Sequence, residues 1–335
     1  MNIIVDAMGG DYAPNEIIKG CIQAVDEYNT NISLVGQENL IKKQLSILNA
    51  DVSRFEIINA DDIILPDDNP VSAIKNKKES SMVKGLEMIK KDPHSVFISA
   101  GNTGALMAGS ILKVGRIKGI DRPALATFMI NTANKGGSLL IDGGANADCK
   151  PDNLVQFAIM GSIYMEKVLG RIDPTVGLIN IGIEDTKGNQ LTKKVYTLLK
   201  DCRYINFAGN VEARDIPRGH ADILVCDGFV GNVVLKLTEG VASTLFDMLK
   251  EEMTANWTRK LGTLLLKPGL KNFKKKMDYA EYGGAPLLGV NGGIIKAHGS
   301  SNAKAIKNAI RQGLLFMENG VLDTIANSIE HEKEE

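Results

Sequence analysis

Cysteine is scarce. Four occur in 335 residues, at Cys21, Cys149, Cys202 and Cys226, and no CxxC pair is present. Their spacing suits neither a zinc ribbon nor a redox dithiol. A 36.2 kDa chain builds its core without disulfide staples, so four free thiols in a reducing cytosol are expected. Aromatic residues are 5% of the chain, with one Trp, too few for an extended base-stacking surface. Charge of either sign is not in excess: 39 Lys plus Arg stand against 40 Asp plus Glu, for a net charge of −1. Without a basic surplus to drive counterion release, nucleic acid is not expected as a partner. Long apolar runs are missing as well. The uncharged stretch from Pro93 to Leu112 contains His94, Asn102, Thr103 and several glycines, and does not read as a membrane span. Met1 to Asp6 has no basic region ahead of its short apolar run, so no signal peptide is expected. G-x-G, Walker A, G-x-S-x-G and H-E-x-x-H patterns are all absent, and the four histidines lie far apart.

What the chain has in abundance is glycine, 34 residues, together with an alternation of short β-branched runs and longer helical patterns. Strands are predicted at 3–6, 32–35, 55–59, 95–99, 125–130, 138–141, 176–181, 204–207, 223–226, 287–290 and 294–297. The 125–130 and 138–141 pair, joined by a turn around Lys135-Gly136-Gly137, is predicted to be antiparallel. Helices are predicted at 14–28, 38–48, 80–91, 103–112, 153–168, 191–200, 232–253 and 302–317. Such β-α alternation gives an α/β fold with helices on both faces of a sheet. The length fits about two domains or one large α/β unit. No linker divides the chain, and His331 to Glu335 reads as a frayed polar tail.

Ligands of open α/β sheets bind beyond the carboxyl ends of strands. Five strand ends here carry Gly, Asn and Asp: Asp6 with Gly9 and Gly10; Gly101-Asn102-Thr103; Asp142 with Asn146; Asn180 with Lys187; and Asp227-Gly228 with Asn232. Any one such loop is an ordinary turn or cap. Five together point to a cleft in which backbone N–H groups at helix starts face an anion. Ser80 and Ser81, after Lys75, Lys77 and Lys78, either grip an anion or simply open a charged helix. Lys296-Ala297-His298-Gly299-Ser300-Ser301-Asn302 places a cation, an imidazole and hydroxyls before a helix, which also reads as an N-cap. Asp61, Asp62, Asp67 and Asp68 are read as a solvated acidic loop rather than as metal ligands.

Arg259 to Met277 carries seven basic residues and no acidic one. Trp257, Leu261, Leu264, Leu265, Leu266, Leu270, Phe273 and Met277 fall at helical spacing, and Pro268 is expected to split the stretch into two short helices. A basic amphipathic element at 255–277, with Lys260, Lys267, Lys271 and Lys274, suits an anionic membrane, each cation there contributing on the order of 1 kcal/mol. It also suits an acidic carrier protein or a second subunit.

The segments DAMGGDYAP, KKESSM, SAGNTGAL, IDGGANADC, QFAIMGS, NIGIEDTKGN, VCDGFVGNVVLK, YGGAPLLGVNGG and KAHGSSN follow in order from Asp6 to Asn302. In these the sequence resembles the phosphate acyltransferases of bacterial phospholipid synthesis, the PlsX family. The resemblance implies a three-layer αβα fold with a mostly parallel mixed sheet, like phosphotransacetylase and isocitrate dehydrogenase. It implies one unit over 1–330, of two intertwined lobes with a cleft between them. The implied activity moves a long acyl chain from acyl carrier protein to inorganic phosphate, and the acyl phosphate then serves a membrane glycerol-3-phosphate acyltransferase. A cytoplasmic homodimer touching the membrane is implied, with no metal and no cofactor. Phosphate is already a nucleophile, so the site must hold it near the thioester carbonyl and stabilise an oxyanion. Lys187 is expected as the catalytic cation, Asp227 and Asn232 as positioning groups, and His298 as proton donor to the leaving thiolate. Glycine loops, Asn102, Thr103, Ser80, Ser81, Asp142, Asn146, Asn180, Gly228 and Ser300 are expected around phosphate. A short-chain phosphotransacetylase using acyl-coenzyme A, a non-catalytic membrane scaffold and a β-decarboxylating dehydrogenase are the competing readings.

Overall fold

The structure, a computed structural model, describes residues 2–133, 137–276 and 283–334. In chain order the first half holds β1 (Ile3–Asp6), α1 (Asn15–Tyr28), β2 (Ile32–Gly36), α2 (Glu38–Ile47), β3 (Phe55–Asn59), α3 (Pro70–Asn76), α4 (Ser81–Lys91), β4 (Val96–Ser99) and α5 (Thr103–Gly109). Next come β5 (Ala124–Met129), β6 (Ser138–Ile141), α6 (Pro151–Leu169), β7 (Thr175–Asn180), α7 (Gln190–Asp201), β8 (Asn206–Glu212) and β9 (Ile223–Val225). The chain closes with α8 (Gly228–Thr254), α9 (Trp257–Lys276), β10 (Ala285–Leu288), β11 (Gly293–Lys296), α10 (Ala303–Glu318) and α11 (Val321–Glu334).

One sheet of eleven strands runs in the order β3-β2-β1-β4-β11-β10-β5-β6-β9-β7-β8. β1 to β4 and β11 are parallel, as are β6, β7, β8 and β9. Between these sets lie three successive antiparallel pairings, β11 with β10, β10 with β5, and β5 with β6. The two parallel halves therefore point in opposite directions. The predicted β5–β6 pair is antiparallel as expected, though its turn at Lys135-Gly136 lies outside the described residues.

Strand alternation divides the first half into two cores. Ile3, Val5, Val96 and Ile98 face α1, α2 and α10, while Ile4 and Phe97 face α3, α4 and α5. In the second half one face packs on α6, α7 and α11. The opposite face is covered more thinly, by a 3-10 turn at Ala213–Arg218 and the start of α8.

Several boundaries differ from expectation for physical reasons. α3 was hidden by the acidic loop, although Asn69 caps it and Pro70 sits in its first turn. α8 begins at Gly228, not at residue 232, because Asp227 accepts the Val230 N–H at 2.8 Å as an N-cap. β8 is set further along than 204–207, pairing from Asn206 to Glu212 along β7. The C-terminal residues do not fray at 331. Val321, Ile325 and Ile329, all at 0% exposure and four apart, bind α11 to the second-half core, and the helix continues to Glu334. α9 passes through Pro268 as one helix instead of two. A proline removes one N–H, and the Leu264 carbonyl it orphans lies on an exposed turn where water can serve it.

Candidate active site

Register places β1, β4 and β11 side by side, so Asp6, Ser99 and Lys296 meet at their shared carboxyl end. Asp6 is 2% exposed. It accepts from the Ser99 hydroxyl at 2.7 Å and the Met8 N–H at 3.1 Å, and further from the Ser81 hydroxyl and the Gly9 N–H. Burial nevertheless pushes its carboxyl above the usual range. Ser99 in turn accepts the Gly101 N–H. A Cβ on Gly9 would fall 2.6 Å from Asp6 Oδ2 and 2.7 Å from Gly101 N, so only glycine allows this approach. Asp11 N–H donates to the Gly299 carbonyl at 2.8 Å, tying the β1–α1 loop to the β11–α10 loop.

Lys296 was outside the expected site set. It is 8% exposed and its ammonium bonds to the Ala297 carbonyl. Burial lowers it to about 8, with Asp6 and Asp11 opposing and Lys236 adding to the effect. His298 Nδ1 lies 2.8 Å from the Ser300 hydroxyl and accepts the Ser300 N–H at 3.3 Å, which leaves the proton of the neutral ring on Nε2. Desolvation lowers the His298 pKa, Glu239 opposes it, and Lys236 and Lys296 reinforce it.

A second cluster stands where β6, β9 and β7 end. Asp142 is wholly buried and accepts from the N–H groups of Leu125, Gly144, Ala145 and Asn146 and from Asn146 Nδ2, at 2.7 to 3.3 Å. Asn146 also donates to the Pro123 carbonyl at 2.7 Å. Asn180 is engaged in its own loop, through Asn210, the Ile181 N–H and the Lys187 carbonyl. Asp142, Asn146 and Asn180 are thus positioning groups that shape loops. Lys187 is exposed, its stem lying beside Gly182. Asn232 is exposed, and Asp227 caps α8.

α8 joins the two clusters. A Cβ on Gly231 would come 1.9 Å from the Asp142 carbonyl oxygen, and Gly228 N–H donates to the Asn146 carbonyl at 2.7 Å. At about 1.5 Å per residue, the helix needs only two more turns to bring Lys236 and Glu239, paired at 2.8 Å, within electrostatic reach of His298. Lys236 thus lies within electrostatic reach of both Lys296 and His298, while Asn232, one turn earlier on α8, stands beside Gly144.

Some expected phosphate ligands are otherwise engaged. Ser80 caps α4 through the Val83 N–H and donates to the Lys77 carbonyl. Asn102 caps α5 and donates to the carbonyls of Leu65, Pro66 and Asp68. Thr103 beside it is exposed. In the acidic loop, Asp68 is paired with Lys77 at 2.6 Å. Among the described residues no group of three metal-ligating side chains comes together. Two hollows of about 540 and 430 Å³ lie elsewhere, and share no residue with either cluster. The sequence marked Lys296 as a cation ahead of a helix, but a lysine at a strand end reads as a surface residue, which kept it out of the expected site set. Only the β11–β4 register shows it to be internal.

The model of a family described as fatty acid synthesis protein matches residues 1–324. A phosphate acyltransferase of Alkaliphilus oremlandii is 55% identical over 98% of this chain and 97% of its own length. One from Clostridium novyi is 55% identical over 98% and 99%, and one from Clostridium botulinum is 54% identical over 98% of both chains. Among solved structures, the chain resembles a EutD phosphotransacetylase of Staphylococcus aureus, with TM-score 0.59, 13% identity and coverage of 97% and 94%. It also resembles a branched-chain phosphotransacylase of Enterococcus faecalis, with TM-score 0.56, 14% identity and coverage of 95% and 99%. These structural likenesses show the fold, an α/β architecture with a mostly parallel mixed sheet, as the sequence led us to expect. Matched over nearly its whole length by that family model and by these relatives, the chain belongs to the phosphate acyltransferase family of fatty acid synthesis enzymes.

Proposed function

We propose that this enzyme transfers a long acyl chain from acyl carrier protein to inorganic phosphate and releases acyl phosphate. The observation that carries the reading is the grouping of Lys296, His298 and Lys236 beside the glycine loops at the ends of β1, β4 and β11. α8, which brings Lys236 there, leads on into the apolar and basic surface of α9. A phosphate oxygen attacks the thioester carbonyl carbon, the C–S bond breaks, and the acyl–oxygen bond forms. Thiols ionise near pH 8.5, so the leaving thiolate needs little help. His298, with its neutral-state proton on Nε2, donates to the thiolate. Lys187 stabilises the oxyanion, Asn232 orients phosphate, and Asp227 holds the start of α8. Gly9, Gly10, Ser81, Thr103, Gly228 and Ser300 border the anion. Asp6, Asp142, Asn146 and Asn180 position the loops.

α8 presents Phe229, Val233, Leu237, Leu245 and Met248, each at least half exposed, along one stripe. Among the described residues it is the one helix long and apolar enough to cross a bilayer by length and composition. Its start is fixed at the end of β9, and Lys236, Glu239 and Asp247 interrupt it. We assign the stripe to a second copy of the chain, giving a homodimer. α9 folds back on α8, with Phe246 and Phe273 rings 5.9 Å apart. It exposes Trp257, Leu264, Leu265 and Phe273 beside Lys260, Lys267 and Lys271. The side chain of Lys274 lies outside the described residues. This hairpin suits contact with anionic lipid or carrier protein, in keeping with a cytoplasmic enzyme that works at the membrane face and hands its product to a membrane glycerol-3-phosphate acyltransferase.

The test is turnover with palmitoyl-acyl carrier protein and inorganic phosphate, with acyl phosphate trapped by hydroxylamine. Phosphate-dependent hydroxamate is expected. Product from short acyl-coenzyme A alone would assign the short-chain phosphotransacetylase reaction instead.

A further inference from the structure

We propose that Lys296 is the cation that receives the acyl acceptor, its buried ammonium binding the phosphate dianion directly at the shared end of β1, β4 and β11. This rests on the reading of phosphate as the acceptor.

The geometry gives this ammonium no contact ion pair among the described residues, and Asp6 and Asp11 act on it only from further away. Its hydrogen bond goes to the neighbouring Ala297 carbonyl. A buried cation in that state is costly unless something anionic completes it. Asp6, one of the two acids that act on it, is already engaged by four donors, Ser81 of α4, Ser99 of β4 and the Met8 and Gly9 N–H groups of its own loop. Two N–H bonds of the ammonium remain for a ligand. The loops that meet at this end come together through backbone: Gly9 lies against Gly101, and Gly10 against the Gly299 carbonyl. Phosphate suits such a place, being a compact dianion that a point charge and main-chain groups can hold together.

A proton moves with the ligand. The charged groups facing Lys296 are Asp6 from β1, Asp11 from the β1–α1 loop and Lys236 from α8. His298, paired electrostatically with Glu239, stands on its own loop. The β-sheet partners Ala285 and Ser99 bring no charge. Burial leaves the side chain partly deprotonated in mildly alkaline solution. A bound dianion favours the protonated form, so binding draws a proton from solvent.

Isothermal titration calorimetry of inorganic phosphate into the full-length protein at pH 8.0 tests this. Two buffers of different ionisation enthalpy are used, alongside the phosphate KM measured with palmitoyl-acyl carrier protein. With Lys296 near pH 8, uptake of about half a proton per phosphate is expected. Lys296→Met should weaken phosphate at least tenfold in Kd and KM and abolish the uptake. Lys296→Arg, permanently charged, should keep binding and lose the uptake. The arginine variant decides the matter if the methionine variant does not fold, since uptake that persists in it overturns the proposal. So does buffer-independent heat in the wild type, or an unchanged phosphate KM in a folded Lys296→Met. Wild-type turnover with those results overturns the Lys296 role alone. No phosphate heat and no turnover in the wild type overturn the acceptor reading with it.

Discussion

At the scale of single residues, Asp6 and Lys187 make opposite demands on experiment. Asp6 is a buried acid whose folded pKa stands above its unfolded value. The folded protein keeps a proton that the unfolded chain releases as pH rises past about 4. Folding then binds more protons than unfolding, so this group lowers stability as pH climbs towards its raised pKa. Asp6→Asn removes that loss. Relative to the wild type, the variant should gain stability as pH rises above about 4, read from urea midpoints across a pH series; parallel curves would contradict the assignment. Lys187 is exposed, so Lys187→Ala should leave the melting temperature unchanged while lowering kcat by roughly 100-fold, the loss typical of one oxyanion donor. Near-normal kcat would remove it from the chemistry. Loop signals led to residues that the structure sets at strand ends, Asp6 and His298, and to Asp227, which caps α8. Asn102 and Ser80 fit the same residue-type rule, yet the structure engages both as caps. Sequence does not distinguish a hydroxyl or amide that caps from one that waits for a ligand, because both roles favour the same residues at helix starts.

At the scale of elements, α8 and α9 were legible in composition and not in geometry. Their apolar spacing was visible, but the passage through Pro268 does not follow from local propensity. The start at Gly228 is capped by Asp227, and seating it on the β6 end further requires the close approach of Gly231 to the Asp142 carbonyl oxygen. Gly231→Ala should therefore destabilise the protein by about 1–3 kcal/mol, an overpacking cost measurable in chemical denaturation. An unchanged midpoint would mean that α8 is not seated on this loop. The outer parts of the helices carry a different expectation. Leu237→Glu with Leu245→Glu places charge on the α8 stripe, and light scattering should then find a monomer; a persistent dimer would place the interface elsewhere. Leu264→Glu with Leu265→Glu should reduce sedimentation with phosphatidylglycerol vesicles, since two apolar side chains at 62% and 79% exposure are replaced by anions. Retained vesicle binding would detach α9 from the membrane role.

At the scale of the molecule, the path of the chain through the sheet matters most. The first parallel half of the sheet is begun by residues before 115 and finished only after β10, when β11 inserts beside β4 and α10 packs on α1. The sequence showed β-α alternation throughout, but not this return, because strand order is set by long-range pairing that local patterns do not encode. The return also assembles the first cluster. Asp6 and Ser99 come from early strands, while Lys296 and His298 come from near the end, with the α8 residues between them in sequence. A fragment of residues 1–122 keeps β1 to β4 but leaves β4 as an open edge. It also uncovers the face of α1 around Gly20, on which Ala303 and Ile306 of α10 pack. Exposed apolar surface and an unpaired edge favour association over folding. The fragment should therefore show no cooperative thermal transition by circular dichroism, whereas the full chain should unfold in one. A fragment that melts sharply would show the first parallel half to be an independent domain, and would make the return of β11 an addition to a completed fold instead of the step that completes it.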